Sequence, residues 1–174
     1  MSNAIESSIK RSRWKDARRL IRSELRRDPR NHWLLTRLSL TYYEQKNYRI
    51  AHRFSLEALR LAPYCPLVLW DHAGSLDMLG RKRETIALYR RLIRRGVRAI
   101  AIGRCGEGTA WARALVADCY YRLAACLADV SQLKQAAHPL RRHLEVRGPG
   151  CHSIYPISLA RTALYRIQER ERVA

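Results

Sequence analysis

Five cysteines and six histidines are the side chains of this sequence that could bind a metal ion or act as nucleophiles. Cys119 and Cys126 are seven positions apart on a segment with the pattern of a single helix. A second group surrounds a glycine turn and consists of His138, His143, Cys151 and His152. Structural zinc sites use close pairs of such ligands, and neither group has that spacing. We therefore expect buried thiols, no metal site and no Cys-His nucleophile.

A glycine-rich segment at 103–109 resembles a phosphate-binding loop in part. Gly103 and Gly108 have the outer spacing of such a loop, but Thr109 stands where the lysine should follow. Residues 97–102 also form a poor strand, whereas the motif follows a strand. We expect an ordinary connecting loop. Because the carboxylates are few and dispersed in sequence, they nominate no acid-base pair, and we predict neither a cofactor nor enzymatic activity.

Arginine dominates the charge of the chain. There are 34 Lys and Arg against 15 Asp and Glu, a formal net charge of +19, and 29 of the basic residues are arginine. Arg18, Arg19, Arg22 and Arg26 recur at helical spacing, and the densest run provides a predicted basic surface of Arg83, Arg90, Arg91, Arg94, Arg95 and Arg98. Such a stripe suits a phosphate backbone or an acidic protein. A solvated helix face or a codon bias would produce the same pattern.

The composition is that of one ordered, helical, water-soluble domain. Hydrophobic residues make up 47% of 174 positions and charged residues 28%, with 8 Gly and 6 Pro. No segment approaches the roughly 20 apolar residues that cross a bilayer, and the N-terminus lacks the apolar core of an export signal. An odd number of cysteines without a close pair indicates free thiols in a reducing compartment. We therefore predict a cytoplasmic protein without a membrane span.

A repeat of about 34 residues organises these elements. Its clearest copy, at 31–63, carries Leu38-Ser39, Tyr42, Tyr48, Ala51, Ala58 and Pro63. This pattern resembles the tetratricopeptide repeat: leucine before a small residue, an aromatic residue, alanines spaced by seven and a closing proline. Because seven residues are two helical turns, Ala51 and Ala58 lie on one face of a second helix that can approach the first closely.

Weaker copies extend the resemblance over nearly the whole chain. The predicted organisation is a single domain with a half-repeat at 10–30, repeats at 31–64, 65–97 and 117–150, an insertion at 98–116 and a capping helix at 151–172. Gly96 and Gly148-Pro149-Gly150 are expected to end helices, and Pro139 to lie near the start of one. The resemblance implies an all-α fold, a short right-handed superhelical solenoid of antiparallel helix pairs.

The family resemblance also implies a concave groove lined by the first helix of each pair. The predicted groove residues are Trp33, Tyr43, Trp70, Asp77, Asp118, Tyr121, Arg122 and Tyr155, and Ala125 lies on the same surface. A row of aromatic rings with polar edges is a good anchor for a peptide. For any single ring, packing between neighbouring helices is the alternative.

Some members of that family hold an acidic C-terminus with Lys, Asn and Arg side chains in the groove. The matching positions here are Thr36, Leu40, Asp71, Asp118 and Arg122, so Arg122 alone has a suitable charge. The acidic residues at or near the groove are Glu44, Asp77, Asp118 and Asp129. They favour a peptide that is neutral, mixed or basic.

These observations predict a non-enzymatic protein-protein interaction module, an adaptor or chaperone-like protein that holds a peptide or partner segment in an aromatic groove. Its arginine-rich surface would meet an acidic partner. The alternative is a helical-repeat protein that binds RNA or another single strand, with arginines on phosphates and aromatic rings stacked on bases. An incomplete N-terminal repeat leaves an apolar edge that a second subunit would cover. An oligomer is therefore an alternative to a monomer.

Overall fold

The computed structural model describes residues 2–147 and 151–173, and the regular secondary structure within them is helical, without a β-strand. The helices are α1 (Ser2–Lys10), α2 (Trp14–Arg27), α3 (His32–Tyr43), α4 (Tyr48–Leu61), α5 (Pro66–Met78), α6 (Lys82–Ala101), α7 (Thr109–Asp129), α8 (Leu133–Val146) and α9 (Ile157–Val173). The all-α prediction is confirmed. None of these described helices has both the length and the hydropathy that a bilayer crossing requires. The predicted turn at 148–150 lies outside the described residues.

The helices form two compact units. Unit 1 is Met1–Gly80 and contains α1 to α5, and unit 2 is Arg81–Ala174 and contains α6 to α9. The boundary follows Gly80 and falls within the predicted repeat 65–97. The first helix of that repeat therefore belongs to unit 1 and the second to unit 2.

In unit 1 each helix packs against the next, and α3 also packs against α5. Leu38 of α3 is 1% exposed, and Ala51 and Ala58 of α4 have no exposed surface. The burial of both alanines confirms the face predicted from their seven-residue spacing. Their small side chains allow α4 to lie close to α3.

The N-terminal part of unit 1 contains more structure than the predicted half-repeat at 10–30. That half-repeat corresponds to α2, and α1 precedes it and packs against it. Ile5 of α1 is buried in one apolar cluster with Ile21, Leu34 and Leu38. A short first helix of nine residues thus contributes to the core.

Unit 2 is built in the same sequential way, with α6 on α7, α7 on α8 and α8 on α9. Helical geometry is interrupted inside α6 at Gly96, where φ is 74° and ψ is 164°. This left-handed φ is accessible because glycine has no Cβ. The break occurs where the sequence predicted a helix end, and the chain then resumes a helical path to Ala101.

The predicted insertion at 98–116 is largely helical in the structure. Because α6 ends at Ala101 and α7 begins at Thr109, only 102–108 connect them. A Cβ on Gly106 would lie 2.3 Å from the carbonyl oxygen of Ala101, so this turn requires glycine for close backbone packing. A tight connection accounts for that glycine without a bound phosphate.

The C-terminal helix differs from the prediction in its start. α9 begins at Ile157 rather than at 151, and residues 151–156 are not helical. Pro139 also lies deeper than expected, because it is the seventh residue of α8 and is buried there. Its position leaves one intrahelical hydrogen bond of α8 without a donor.

Candidate partner-binding cleft

One face of α7 carries Asp118, Tyr121 and Ala125, which are three and four residues apart and therefore neighbours on the helix surface. Cys119 and Cys126 of the same helix are fully buried. Burial raises the pKa of the Cys119 thiol well above its ordinary value, so the thiol stays protonated near neutral pH. This agrees with the expectation that these cysteines are packing residues.

The chain just before α9 lies against this face of α7. The Ser153 hydroxyl donates a hydrogen bond to Asp118 Oδ1, and the Ile154 amide donates one to Oδ2 at 3.4 Å. The rings of Tyr121 and Tyr155 stack with centroids 4.1 Å apart and planes inclined by 16°. The structure thus brings three of the predicted groove residues together, with Tyr155 on an irregular segment rather than on a helix.

Asp118 is consequently engaged within the protein. It is 6% exposed, and burial raises the pKa of its carboxyl group, against the opposing effect of the hydrogen bonds from Ser153 and Ile154 and the charge of Arg147. Arg147 also donates a hydrogen bond to the Tyr155 carbonyl oxygen, which attaches the segment at a further point.

Asp129, the other acidic residue assigned to this part of the groove, forms an ion pair with Lys82 at 2.5 Å. Both carboxylates of unit 2 on which the expectation of a neutral, mixed or basic peptide rested therefore have partners inside the unit. A ligand would meet them as local dipoles or paired charges rather than as free anions.

An apolar cleft of about 190 Å³ opens beside the Tyr121 ring. Its lining comes from α7, α8 and α9 and consists of Tyr121, Ala124, Ala125, Ala128, Leu140, Ala163, Arg166, Ile167 and Arg170. Four of these residues are alanines, whose short side chains leave the space open. Since an apolar cavity of about 150 Å³ accommodates benzene, this cleft has room for one large apolar side chain.

Two exposed arginines give this cleft its charge. Arg166 and Arg170 are four residues apart, so they lie one above the other on α9. A guanidinium group donates two parallel hydrogen bonds to a carboxylate, which makes this edge of the cleft suitable for an anion. Burial also raises the pKa of Tyr121 against the opposing charge of half-buried Arg122, so the phenol is a neutral hydrogen-bond donor.

In unit 1, Trp33 and Tyr43 contact other side chains of the unit. Trp33 packs against the apolar cluster that contains Leu38, and the Arg37 guanidinium lies 5.2 Å from the centre of its ring. Tyr43 meets Tyr48 edge to face with centroids 5.4 Å apart. For Trp33, the alternative of packing between helices therefore describes its place in the structure.

The two remaining groove residues of unit 1 lie on α5. Trp70 is half-buried, and Asp77 is 8% exposed. The neighbouring Asp71, at one of the clamp positions, has an enclosed carboxyl group whose pKa burial raises to about 7. The carboxyl groups of Asp71 and Asp77 are therefore less accessible to a ligand than the sequence indicated.

The predicted basic surface on α6 is uneven. Arg83, Arg90, Arg94 and Arg98 are exposed, whereas Arg91 and Arg95 are half-buried. Arg90 donates a hydrogen bond to Gln135 Oε1 at 3.4 Å. Because the helix is interrupted at Gly96, the four-residue alignment that the sequence predicted does not continue regularly from Arg94 to Arg98.

Sequence reasoning did not identify Arg166 and Arg170 as site residues. Their four-residue spacing, together with the small residues at 124, 125 and 128, was the available signal. That signal is weak, because alanines and arginines are frequent throughout this chain. The meeting of the two helix faces became visible only in the fold.

No protein-family model and no curated protein sequence matches this chain. Its structure is similar to a crystal structure of MamA protein, with a TM-score of 0.63 and 17% identity over 98% of this chain and 89% of the other. A MamA RS-1 ArsTM double mutant has a TM-score of 0.65 and 14% identity over 99% and 93%. MamA is a helical-repeat protein of the tetratricopeptide type. This chain therefore has a tetratricopeptide-like fold.

Proposed function

We propose that this protein is an interaction module that holds a segment of a partner polypeptide in the cleft of unit 2. One apolar side chain of the partner fills the space between α7, α8 and α9. A carboxylate of the same segment pairs with Arg166 and Arg170. The observation that carries the proposal is an apolar cleft of about 190 Å³ with two exposed guanidinium groups at its edge.

The fold supports a binding role, because stacked helical repeats form extended surfaces suited to recognition. The preferred partner chemistry differs from the neutral, mixed or basic peptide expected from the sequence. Asp118 is hydrogen-bonded to the segment before α9, and Asp129 is paired with Lys82. With these carboxylates engaged, the exposed arginines determine the charge that a ligand meets, and they favour an acidic side chain or a C-terminal carboxylate.

Selection from a random peptide library displayed with free C-termini tests this proposal. We expect enriched peptides to combine a large apolar residue with a nearby carboxylate, and their affinities can be measured by fluorescence anisotropy. Ala125→Trp should abolish binding because the indole fills the cleft, and Ala125 is exposed, so the substitution does not crowd the core.

The charge requirement has a matched control. Arg166→Gln/Arg170→Gln should weaken binding about tenfold or more, since guanidinium-carboxylate hydrogen bonds contribute roughly 1 kcal/mol each at a partly exposed site. Arg141→Gln/Arg161→Gln removes the same charge from exposed residues that do not line the cleft, and should change affinity little. Peptides that are basic, or that bind all variants equally, would contradict the proposal.

The exposed arginines of α6, Arg83, Arg94 and Arg98, are proposed as a second contact for an acidic face of the same partner. None of these three arginines lines the cleft, so Arg83→Gln/Arg94→Gln/Arg98→Gln should leave peptide affinity unchanged. Its effect should emerge only with the full-length partner, as slower association at low salt.

Each of the five cysteines is a free thiol, which supports the prediction of a reducing compartment.

A further inference from the structure

The outer side of α2 in unit 1 carries a second surface of different chemistry. It is open to solvent and is formed by Lys15, Arg18, Arg19, Leu20, Arg22, Ser23 and Arg26. Lys15, Arg18, Arg22 and Arg26, here called the α2 row, are three or four residues apart and follow one side of the helix. The row is a different set of side chains from the basic surface on α6.

The arginines of the α2 row are held in place by neutral groups. Arg18 donates a hydrogen bond to Gln45 Oε1 at 2.5 Å, and Arg22 donates one to the Tyr42 hydroxyl at 2.7 Å. Arg26 contacts the Ser23 hydroxyl at 3.4 Å. Neutral acceptors restrict the arginine side chains without cancelling their charge. Because these side chains are already ordered in the free protein, they lose less conformational entropy when an anion binds.

Both acidic residues of α2 are paired with other arginines of the helix. Asp16 lies 3.6 Å from Arg19, and Glu24 lies 3.7 Å from Arg27. Neither of these ion pairs involves a member of the α2 row. The row therefore keeps its positive charge within a chain of net charge +19, which attracts polyanions over longer distances.

Aromatic rings stiffen the base of the row. The Arg18 guanidinium lies 4.6 Å from the centre of the Tyr42 ring, and Tyr42 stacks on Phe54 with centroids 5.7 Å apart. Arg53 lies 5.0 Å from the centre of the Phe54 ring on α4. Because these rings already contact each other and two guanidinium groups, they are engaged in packing and support the arginines rather than stack on a ligand.

We propose that the α2 row binds the phosphodiester backbone of nucleic acid through its phosphates, without reading the bases. The row spans about 16 Å from Lys15 to Arg26 at 1.5 Å per residue, with cations about 6 Å apart along the axis. A single phosphate would meet one or two of these groups, whereas a polymer with regularly spaced phosphates can meet all four. Guanidinium forks match phosphate geometry.

Fluorescence anisotropy with a labelled, mixed-sequence 20-nucleotide RNA tests the proposal across a salt series. Arg18→Gln/Arg22→Gln/Arg26→Gln removes three phosphate contacts and should reduce the slope of log affinity against log salt by about 2. This corresponds to roughly 50-fold weaker binding at 0.15 M salt. Scrambling the RNA sequence should change little.

Two further variants keep the test decisive. Lys15→Gln/Arg26→Gln leaves the contacts of Arg18 and Arg22 with Tyr42 intact. It should weaken binding roughly 14-fold at 0.15 M salt even if the triple variant fails to fold. Arg104→Gln/Arg141→Gln/Arg161→Gln, at exposed arginines of unit 2 outside both proposed sites, removes the same charge as the triple variant. It should weaken binding less than about threefold if contacts rather than net charge decide affinity.

Equal losses for the α2 triple variant and for the Arg104→Gln/Arg141→Gln/Arg161→Gln control would overturn the proposal, because binding would then depend on net charge alone. Competition by poly-glutamate at the same charge concentration as RNA would also overturn it and assign the row to acidic polypeptides. Strong preference for one RNA sequence would contradict binding through phosphates only. The peptide-binding cleft of unit 2 is tested with separate variants, so the two proposals stand or fall independently.

Discussion

Asp71 on α5 should make the stability of this protein depend on pH, and Asp71→Asn should remove that contribution. Its carboxyl group is enclosed, and burial raises its pKa to about 7, against the opposing effects of Ser39 and Arg37. The Ser39 hydroxyl also donates a hydrogen bond to the Ala51 carbonyl at 3.0 Å, and Asp71 Oδ2 is buried without a hydrogen-bond partner.

The sign follows from comparing the folded and unfolded chains. The ordinary pKa is 3.8 and the folded value is about 7, so the protonated form of Asp71 favours folding. Its stabilising effect is complete below the ordinary pKa and is lost as the pH rises through the folded pKa. Between pH 5 and pH 8, the free energy of unfolding should fall by roughly 2.5 kcal/mol through this residue.

Urea unfolding followed by circular dichroism at pH 5 and pH 8 measures this effect. Other groups also titrate in this range, so the relevant quantity is the difference between wild type and Asp71→Asn at each pH. That difference should favour the variant at pH 8 by roughly 2.5 kcal/mol more than at pH 5. Asp16→Asn, at an exposed carboxylate of α2, is the control and should show no such change. A constant difference between wild type and Asp71→Asn would contradict this prediction and show that Asp71 is ionised in the folded protein.

Three further changes have expected outcomes measurable by thermal or urea unfolding and hydrogen exchange. Gly106→Ala should lower the free energy of unfolding by about 1–3 kcal/mol, because its Cβ would lie 2.3 Å from a backbone carbonyl oxygen. Unchanged stability would show that this turn rearranges easily. Leu38→Ala should lower it by about 2–5 kcal/mol through a cavity in the core of unit 1, and a loss below 1 kcal/mol would contradict its burial. Tyr155→Ala removes the stack on Tyr121 and should speed hydrogen exchange of the Ile154 amide, while the helix amides of unit 2 stay protected from exchange. An unchanged exchange rate would show that the stack does not hold this segment.

The all-α class, the helix pairs and the small face of α4 were predictable from local patterns. Two turns of helix separate Ala51 from Ala58, so their common face depends only on the helical period. The break at Gly96 was predictable for a similar reason, since glycine adopts a positive φ at little energetic cost. Helix starts were less predictable, and α7 and α9 begin several residues away from the repeat boundaries.

The helical-repeat fold, the excess of arginine and the residues that recur at groove positions all follow from local sequence patterns. Which of those residues remain available to a ligand depends on contacts between distant segments. Asp118 and Ile154 are 36 positions apart, and Arg18 and Gln45 are 27 apart. Their hydrogen bonds therefore depend on turns and irregular segments that bring distant residues next to a helix. Helical periodicity specifies the side of a helix on which a residue lies. It does not specify which distant group meets that residue. Here distant groups form hydrogen bonds with Asp118 and Arg18, and the packing of α9 places Arg166 beside an apolar cleft.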